Sequence, residues 1–268
     1  MERDKQYFIF FDIDGTIYHP QSGVTDDAKN AIQKLKEAGH KVFICTGRSR
    51  SGIEEEITNI GFDGIIAACG LYIEIDGKVI KNVHLPKETL DWVINNVASN
   101  EGLSVILEGS NNIYMDESRQ TEEDAKRYSK FIQNNRKRIK TFNDEIMNIN
   151  KFGLRVINHD NIDSLVEEIS NKDFDIVLHA SKTYEVIPNG YNKAIGIFDV
   201  IKCLGGDMKY TVGCGDSNND IPMLKEVEIA IVPENGVPEA KKYADILTDD
   251  ILNFGLTNAF EKLGFIKN

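Results

Sequence analysis

Short apolar runs alternate with amphipathic stretches over the first 68 residues of the chain. The runs at residues 7–11, 41–45 and 65–68 are almost uniformly hydrophobic, which predicts strands covered on both faces, as in a parallel sheet. The stretches 25–38 and 52–60 between them have the spacing of apolar residues that is typical of helices. This alternation of strand and helix predicts an α/β fold built from βαβ units.

Turn and cap residues mark the limits of these elements. Thr25 or Asp26 is expected to cap the first helix at its amino end. The segment "YIEIDGKVI" contains two strand-like runs around Asp76-Gly77. That dipeptide predicts a hairpin closed by a tight turn of the primed type.

The pattern changes between about residues 84 and 186. Helical stretches at 87–100 and 162–171 alternate there with shorter strands that are polar on one side, namely LSVILE, NIYM, FGLRVIN, FDIVLH and TYEVIP. One-sided strands predict an antiparallel sheet with helices on one face. The α/β pattern then returns. We therefore predict a Rossmann-like parallel-sheet core of residues 1–83 and 187–268, with an inserted α+β cap domain at 84–186.

The charge of the chain argues against two classes of partner. Its 268 residues include 31 basic and 43 acidic side chains, giving a formal net charge of -12, which disfavours binding to nucleic acid or to an anionic membrane. Residues 126–140 are locally basic; this segment is expected to be a solvated helix face, and attraction of an anionic substrate is the alternative. No apolar stretch is long enough for a membrane span or a signal peptide.

The cysteines indicate a reducing compartment. Cys45, Cys69, Cys203 and Cys214 show no metal-type or CxxC spacing, and three of them lie in or beside apolar strand-like runs. This pattern favours buried free thiols, so the protein is expected to be cytoplasmic. The sequence leaves its oligomeric state open.

Polar residues follow three predicted strands, where ligands bind in open α/β sheets. One further candidate, Lys193, lies near the start of a helix predicted at 193–204. The candidate residues at these four places are Asp12, Asp14, Gly15, Thr16, Thr46, Gly47, Arg48, Lys193, Asp216, Ser217, Asn218, Asn219 and Asp220.

Together these residue types predict a phosphate site. Asp12 and Asp216, with Asp220 as a further candidate, would concentrate negative charge at one end of the sheet. A hard cation such as Mg²⁺, which prefers carboxylate and carbonyl oxygens, would offset that repulsion. Lys193 and the Thr46 hydroxyl add a positive charge and a donor, and backbone N–H groups of the adjacent loops could complete an anion cradle.

Each motif taken alone has a simpler interpretation. "DID" after an apolar run is also typical of a loop or a structural Ca²⁺ site, and "TGR" of a turn. "GDSNND" could be a helix N-cap, because Asp, Ser and Asn favour caps. Lys193 alone would be a surface lysine. These interpretations do not predict the four motifs in this order, each at a strand end or a helix start.

The combination resembles the haloacid dehalogenase superfamily. Its four motifs are similar to "DIDGT" (12–16), "CTGR" (45–48), Lys193 and "GDSNND" (215–220). The long insertion between the second and third motifs resembles the Cof-like sugar-phosphatase branch, as does "PENGVPEAKKYADILTDD" near the C-terminus. The chain departs from the family at Cys69-Gly70, where Asn-Gly is usual.

The resemblance implies a role for each of several residues. Asp12 would be the nucleophile that forms an aspartyl-phosphate, and Asp14 the general acid and then the general base. Thr46 and Lys193 would hold the phosphoryl oxygens, and Asn219 would assist them.

The resemblance also implies a metal site. Mg²⁺ would be bound by the Asp12 carboxylate, the Asp14 main-chain carbonyl and Asp216, with Asp220 in or behind that set of ligands. It would neutralise charge developing on the transferred group.

Contacts to the rest of the substrate are less defined. The Gly47 backbone belongs to the predicted phosphate cradle, and Arg48 is a candidate to meet the substrate from the core side. A salt bridge of Arg48 to the cap or to a neighbouring loop is the alternative. Within the cap, four residues could face the substrate or be structural: His179, Lys182, Tyr184 and Glu185.

The function that the resemblance implies is phosphate-ester hydrolysis. Members that act on carbon–halogen bonds lack the second aspartate, so Asp14 argues for phosphoryl transfer. We expect a Mg²⁺-dependent phosphatase for a small phosphorylated metabolite, either a sugar phosphate or a phosphorylated cofactor. Two alternatives stay open: a phosphomutase with the same intermediate, and a non-catalytic binding protein on the same scaffold.

Overall fold

The chain folds into two compact units. The computed structural model describes residues 5–120, 131–146, 148–158, 162–178 and 183–267. The first unit comprises Met1–Gly47, Glu55–Lys81 and Asn192–Asn268, and the second Arg48–Glu54 and Asn82–Tyr191. The domain limits predicted from the sequence, 1–83 with 187–268 and 84–186, concern independently folding domains and stay a prediction.

The strands and helices of the described residues are numbered along the chain. The strands are β1 Phe8–Phe11, β2 Tyr18–His19, β3 Gly23–Val24, β4 Lys41–Cys45, β5 Gly64–Ala67, β6 Tyr72–Ile75, β7 Lys78–Asn82, β8 Leu103–Gly109, β9 Ile113–Met115, β10 Ile139–Lys140, β11 Ile149–Val156, β12 Phe174–Leu178, β13 Thr183–Pro188, β14 Thr211–Cys214, β15 Ile229–Pro233 and β16 Ile246–Thr248. The α-helices are α1 Asp26–Glu37, α2 Glu55–Thr58, α3 Lys87–Val93, α4 Ile162–Ser170, α5 Lys193–Leu204, α6 Ile221–Glu226, α7 Pro238–Lys241 and α8 Gly255–Leu263. Short 3₁₀ turns lie at Arg50–Gly52, Ala68–Gly70, Glu117–Arg119, Met208–Tyr210 and Asn218–Asp220, and a π-helical turn at Ile94–Ala98.

The first unit is built on an eight-stranded sheet in the order β16-β15-β14-β1-β4-β5-β6-β7. The strands from β16 to β5 run parallel, and β6 pairs antiparallel with β5. Strand β1 is central, with Phe11 level with Cys214 on one side and with Ile44 on the other. The predicted fold class, an α/β fold with a Rossmann-like parallel core, is confirmed.

The apolar runs became strands because both of their faces are covered. All four residues of β1 and all four of β5 are buried. Phe10 and Phe43 stack on neighbouring strands, with 5.1 Å between their ring centroids. Burial on both faces leaves no polar position inside β1, so the first polar side chain comes directly after its last residue.

Helix α1 begins where the sequence predicts. The Thr25 hydroxyl caps it by accepting the Ala28 N–H at 3.1 Å. Asp27, in its first turn, is buried and accepts the N–H groups of Leu256 and Thr257 at 2.9 and 3.2 Å. Since those two N–H groups open α8, one carboxylate of α1 caps the first turn of a second helix.

Two other local predictions had different outcomes. The predicted hairpin is confirmed: β6 and β7 are joined by Asp76 and Gly77, whose φ angles of 49° and 73° are those of a primed turn. The helix predicted at 52–60 was wrong in extent, because α-helix covers only Glu55–Thr58. The segment before it forms a 3₁₀ turn whose Ser51 hydroxyl donates to the Gly109 carbonyl at 2.7 Å.

The second unit contains a six-stranded sheet in the order β10-β9-β8-β11-β13-β12, antiparallel apart from the β10–β9 pair. Leu107, Phe152 and Val186 pack on one face with buried residues of α3 and α4. Because successive side chains of a strand alternate, Lys151 belongs to the other face. There its ammonium donates to Glu108 at 2.7 Å and to Glu185 at 2.9 Å.

The structure describes part of the basic segment at residues 126–140. Residues 126–130 of the basic segment lie outside the described residues. Within the remainder, Arg138 donates to the carbonyls of Ser51 and Ile53, each at 3.1 Å, and Arg136 pairs with Glu117. Among the helices described, none combines the length and apolar character that a membrane crossing requires.

Candidate active site

Asp12 lies at the carboxyl end of the central strand of the first unit. It directly follows β1, and its N–H donates to the Cys214 carbonyl at 2.9 Å, which extends the pairing of β1 with β14 by one residue. Its side chain is buried, with 4% of the residue exposed. The sheet therefore fixes the position of this carboxylate.

The chain after Asp12 makes a compact turn. The Ile13 carbonyl accepts three N–H groups, those of residues 16, 17 and 18, at 3.2, 3.0 and 2.9 Å. Gly15 has a φ of 82°, and a Cβ at this position would overlap the Asp216 carboxylate. Thr16 donates its hydroxyl to Asp216 Oδ1 at 3.3 Å. The turn thus places Asp14, which is exposed, between a buried carboxylate and a loop that touches Asp216.

The loop after β14 is organised around Asp220. One oxygen of this buried carboxylate, Oδ2, accepts the N–H groups of Asp216 and Ser217 at 3.0 and 2.9 Å, and the Ser217 hydroxyl at 3.1 Å. A Cβ at Gly215 would overlap the Asp220 side chain. Asp220 therefore closes the loop as a capping box at the start of a helical turn.

Lys193 brings these two loops together. It is the first residue of α5, whose N-cap, Asn192, accepts the Ile195 N–H at 3.0 Å. The fully buried ammonium donates to Asp12 Oδ1 at 2.6 Å and to Asp220 Oδ1 at 2.5 Å. Burial acts to lower the pKa of Lys193, but Asp12 and Asp220 outweigh it and hold the pKa well above its ordinary value. Lys193 is charged.

Main-chain packing fixes the start of α5. Gly70, in the 3₁₀ turn that follows β5, faces Gly196 in the first turn of α5. A Cβ on Gly70 would lie 2.9 Å from the Asn192 carbonyl oxygen and 3.2 Å from the Gly196 Cα. A Cβ on Gly196 would overlap Ile66. Neither glycine can gain a side chain without displacing the first turn of the helix.

Thr46 and Gly47 follow β4, the neighbour of β1. The Thr46 N–H donates to the Ile66 carbonyl at 2.9 Å, and its carbonyl accepts the Cys69 N–H at 3.1 Å. Both residues are buried. Because β4 runs parallel to β1 with Ile44 level with Phe11, Thr46 lies at the same edge of the sheet as Asp12.

The carboxylates of this edge carry more negative charge than one ammonium offsets. Burial, with repulsion from Asp220 and Asp14, raises the pKa of Asp12 to about 7 against the influence of Lys193. Burial and repulsion from Asp220 and Asp12 raise the pKa of Asp216 to about 9. In protein alone, these carboxylates are ready to take up either protons or a cation.

The comparison with known proteins identifies the family. Residues 9–260 match the family of haloacid dehalogenase-like hydrolases, which is most of the chain. The chain belongs to this family. The resemblance seen in the four motifs, including the Cof-like branch, is therefore confirmed, as is the predicted hydrolase class.

Individual relatives of this hydrolase span its whole length. YkrA of Bacillus subtilis is 28% identical over 266 residues, which is 97% of this chain and 98% of that protein. The 5-amino-6-(5-phospho-D-ribitylamino)uracil phosphatase YcsE of the same organism is 24% identical over 259 residues, 94% and 93% of the two chains. The structure of the subclass IIB sugar phosphatase BT4131 superposes with a TM-score of 0.80 at 23% identity, covering 97% of this chain and 100% of that one. That likeness shows the shared fold.

The acidic side chains of the hydrolase fit a magnesium ion. Carboxylate oxygens of Asp12, Asp216 and Asp220 lie within 4.8 Å of one another. All of them are hard oxygen donors, and their mutual repulsion is the kind that a divalent cation removes. The donor set therefore suits Mg²⁺ and lacks the nitrogen and sulfur ligands that zinc favours.

In the structure of this hydrolase, Arg48 belongs to the second unit. The sequence had indicated that it would meet the substrate from the core side. Its guanidinium pairs with the buried Glu54 and donates to the Gly52 carbonyl at 3.3 Å. The salt bridge to a neighbouring loop, which the sequence left open, is thus present. Contact of Arg48 with substrate stays a prediction.

The other predicted contacts are placed as follows. Asn219 is half-buried and accepts the Ser217 hydroxyl at 2.8 Å, so its part in phosphate binding stays a prediction. His179 and Lys182 lie outside the described residues. Glu185 is buried in the ion pair with Lys151 and was a candidate for either a structural or a substrate-facing role.

The sequence marked the segment that begins PENG at Pro233 only as part of the family resemblance, without a role in the site. The loop after β15 contacts both loops that carry candidate aspartates: Asn235 donates to the Gly15 carbonyl at 2.7 Å, and the Val237 N–H donates to the Asp216 carbonyl at 2.7 Å. The signal was available, since Asn235-Gly236 follows a buried strand at the same edge of the sheet. No chemistry-bearing side chain drew attention to it.

Proposed function

We propose that the protein is a Mg²⁺-dependent phosphatase that hydrolyses a small phosphorylated metabolite through an aspartyl-phosphate on Asp12. The observation that carries this proposal is the buried contact between Lys193 and Asp12 at the carboxyl end of the central strand. A carboxylate fixed beside a buried cation, with Thr46 at the same edge, suits attack on a phosphoryl group that the same cation helps to bind.

The first half of the reaction would use Asp12 as nucleophile. An Asp12 oxygen forms a bond to phosphorus while the bond from phosphorus to the ester oxygen breaks, and Asp14 gives its proton to the departing oxygen. Lys193, the Thr46 hydroxyl and the Gly47 N–H would hold the phosphoryl oxygens, with Asn219 assisting. Asp14 suits proton transfer because it is exposed, whereas Asp12 is buried.

The second half would use Asp14 as a base. It takes a proton from a water molecule, the water oxygen bonds to phosphorus, and the bond from Asp12 to phosphorus breaks to release phosphate. Mg²⁺ would be held by Asp12, the Asp14 carbonyl and Asp216, with Asp220 behind them, and when bound would neutralise charge on the transferred group. Asp220 is assigned behind the ligands because its oxygens already accept from Lys193, Asp216 and Ser217.

The substrate class rests on the relatives. One is a sugar phosphatase and another acts on a phosphorylated ribitylaminouracil, so we propose a sugar phosphate or a phosphorylated cofactor as substrate. The cytoplasm is the proposed compartment, since all four cysteines are free thiols.

A phosphate-release assay tests the proposal. Wild type, Asp12→Asn and the exposed control Asp26→Asn are assayed on sugar phosphates, nucleotides and cofactor phosphates, with Mg²⁺ and with a chelator. Phosphate release by wild type and the control should need Mg²⁺ and be lost in Asp12→Asn. Equal release by wild type and Asp12→Asn, or release that ignores the metal, contradicts the mechanism; an isomerised product without free phosphate identifies a phosphomutase instead.

A quench experiment tests the intermediate directly. Acid quench during turnover should leave a phosphoryl group on the peptide that contains Asp12, detected by mass spectrometry. Asp12→Asn should lack it. A phosphorylated peptide elsewhere in the chain would overturn the assignment of the nucleophile.

A further inference from the structure

The loop that follows β15 connects three segments at the carboxyl edge of the sheet. The Asn235 amide donates from Nδ2 to the Gly15 carbonyl at 2.7 Å, and its Oδ1 accepts the Ile251 N–H at 3.2 Å. Two residues further on, the Val237 N–H donates to the Asp216 carbonyl at 2.7 Å. Asn235 therefore links the turn after β1 to the loop after β16. Its own loop is held by Val237 to the loop that contains Asp216.

We propose that Asn235 is a positioning residue for Asp14, acting through the Gly15 carbonyl. This inference rests on the proposed function, in which Asp14 transfers protons to and from the substrate. Gly15 directly follows Asp14, so the orientation of its carbonyl is coupled to the backbone that carries the Asp14 side chain.

The turn around Asp14 needs such a support. Gly15 must lack a side chain because Asp216 occupies the space, and a glycine with positive φ leaves the backbone less restricted than any other residue. The Gly15 N–H donates to the Tyr18 carbonyl at 3.0 Å, which holds one side of the residue. The bond from Asn235 holds the other side.

Asn235 can hold that carbonyl in one direction because both ends of its amide are engaged. The bond from Ile251 fixes the side-chain oxygen, so the amide nitrogen is directed at Gly15. Gly236 is confined as well: a Cβ there would overlap Val232 and lie 3.0 Å from the Pro233 carbonyl oxygen. The Gly236 N–H donates to the Pro233 carbonyl at 2.9 Å and the Val237 N–H to the Asp216 carbonyl at 2.7 Å, and these bonds hold the loop in place.

The small free-energy cost of losing the hydrogen bonds of Asn235 indicates that this residue positions Asp14 rather than stabilises the fold. Asn235 is exposed, so water can replace its hydrogen bonds in a variant, and each exchange costs the fold little. Proton transfer is more demanding, because a general acid must reach the leaving oxygen within hydrogen-bond distance. Loss of Asn235 should thus impair catalysis far more than folding.

The test compares two leaving groups. Wild type, Asn235→Ala, Asn235→Asp and the same-loop control Glu234→Gln are assayed with p-nitrophenyl phosphate and with the sugar phosphate that wild type hydrolyses fastest. p-Nitrophenolate departs with little need for a proton, whereas a sugar alkoxide needs one. Asn235→Asp keeps an oxygen for Ile251 but loses the donor to Gly15, and Asn235→Ala removes the same donor without adding a charge.

The expected result is a selective loss. For both Asn235 variants kcat/KM should fall roughly tenfold on the sugar phosphate and less than about threefold on p-nitrophenyl phosphate, because only the first needs a well-placed acid. Glu234→Gln should match wild type. The ratio of the two kcat/KM values does not depend on the fraction of active enzyme, so partial misfolding of a variant cannot imitate the effect.

Failure of this inference differs from failure of the proposed function. If wild type hydrolyses both esters and the ratio is unchanged in both Asn235 variants, Asn235 does not position Asp14 and the inference is overturned. An equal loss on the two substrates, accompanied by a lower Tm, also overturns it, since that outcome marks a structural role. If wild type hydrolyses neither ester, the proposed function itself fails.

Discussion

The ammonium of Lys193 and the carboxylate of Asp12 lie 2.6 Å apart with almost no solvent access, although 181 residues separate them along the chain. Helix α5 delivers the lysine and β1 delivers the aspartate. The contact joins the first and last segments of the first unit at the point where the proposed chemistry occurs.

Replacement of Lys193 by Met should strongly reduce turnover. Because Lys193 is fully buried, the substitution leaves the exposed surface of the protein unchanged. Without the ammonium, Asp12 and Asp220 face each other unneutralised and the phosphoryl oxygens lose a cation, so phosphate release should fall at least about 100-fold. Lys202→Met removes an exposed lysine from the same helix and should retain wild-type activity. Lys193→Met with activity within tenfold of wild type would rule out the assigned role.

Substitutions of Asp216 and Asp220 should respond differently to magnesium. Asp216→Asn weakens a proposed ligand, so the Mg²⁺ concentration for half-maximal phosphate release should rise roughly tenfold or more, and excess metal should restore part of the rate. Asp220→Asn keeps only one acceptor oxygen, so its NH2 must face either Lys193 or the N–H groups of Asp216 and Ser217. This disorganises the loop, and excess Mg²⁺ should not restore activity. Recovery of Asp220→Asn at high Mg²⁺ would instead make Asp220 a direct ligand.

The buried His40 should make stability fall on acidification. Its Nδ1 accepts the Tyr7 N–H at 3.2 Å, its ring lies 4.8 Å from that of Phe265, and burial lowers its pKa from the ordinary 6.5. The fold therefore favours neutral His40. Its contribution is complete above pH 6.5 and is lost as the pH falls from there through the lowered pKa, because the unfolded chain binds the proton first.

Thermal unfolding of wild type and His40→Phe at two pH values checks this expectation. The phenylalanine keeps a ring beside Phe265 but cannot titrate. Between about pH 7.5 and pH 5.5 the Tm of wild type should fall more than that of the variant. Parallel decreases in Tm would show that His40 is not linked to stability in this range.

Asp27, which lies in α1, should stabilise the protein by capping the first turn of α8. Asp27→Ala leaves the N–H groups of Leu256 and Thr257 without their partner, and loss of such a cap costs about 1–2 kcal/mol of unfolding free energy. The neighbour Asp26 is fully exposed, so Asp26→Ala is the matched control and should change stability much less. Urea unfolding measures both, and equal effects would contradict the capping role.

The sequence predicted the parts of the fold that depend on local pattern. Strand β4 and helix α5 have the limits expected from their residues, and the Asp76-Gly77 turn follows from the backbone freedom of those two residues. The site edge was predictable for the same reason: Asp12 comes directly after a uniformly apolar strand, and such a strand ends at the binding edge of an open sheet.

Long-range contacts decided the features that the pattern did not predict. The strand expected to include Ala68 ends at Ala67, and three successive residues at 68–70 have positive φ, where the Cys69 N–H reaches the Thr46 carbonyl. The segment containing Arg48 follows a core strand in sequence, yet it groups with the second unit, where the Ser51 hydroxyl donates to the Gly109 carbonyl. Partners so distant along the chain leave no trace in local periodicity.

Buried charges form the other group of unpredicted features. Lys151 precedes the FGLRVIN run for which a strand was predicted, yet it lies in β11 and is buried between Glu108 and Glu185. An ion pair of this kind depends on the register of three strands, which the amino-acid pattern of one strand cannot supply.

The approach of Gly70 to Asn192 and Gly196 makes the location of the Lys193 ammonium depend on the absence of a side chain at two positions. The helix meets the 3₁₀ turn at Ala68–Gly70 through main-chain atoms, and the nearest side chain to Gly196 there is that of Ile66 in β5. The same contact confines the risk to two positions, since a single methyl group at either glycine would shift the cation relative to Asp12.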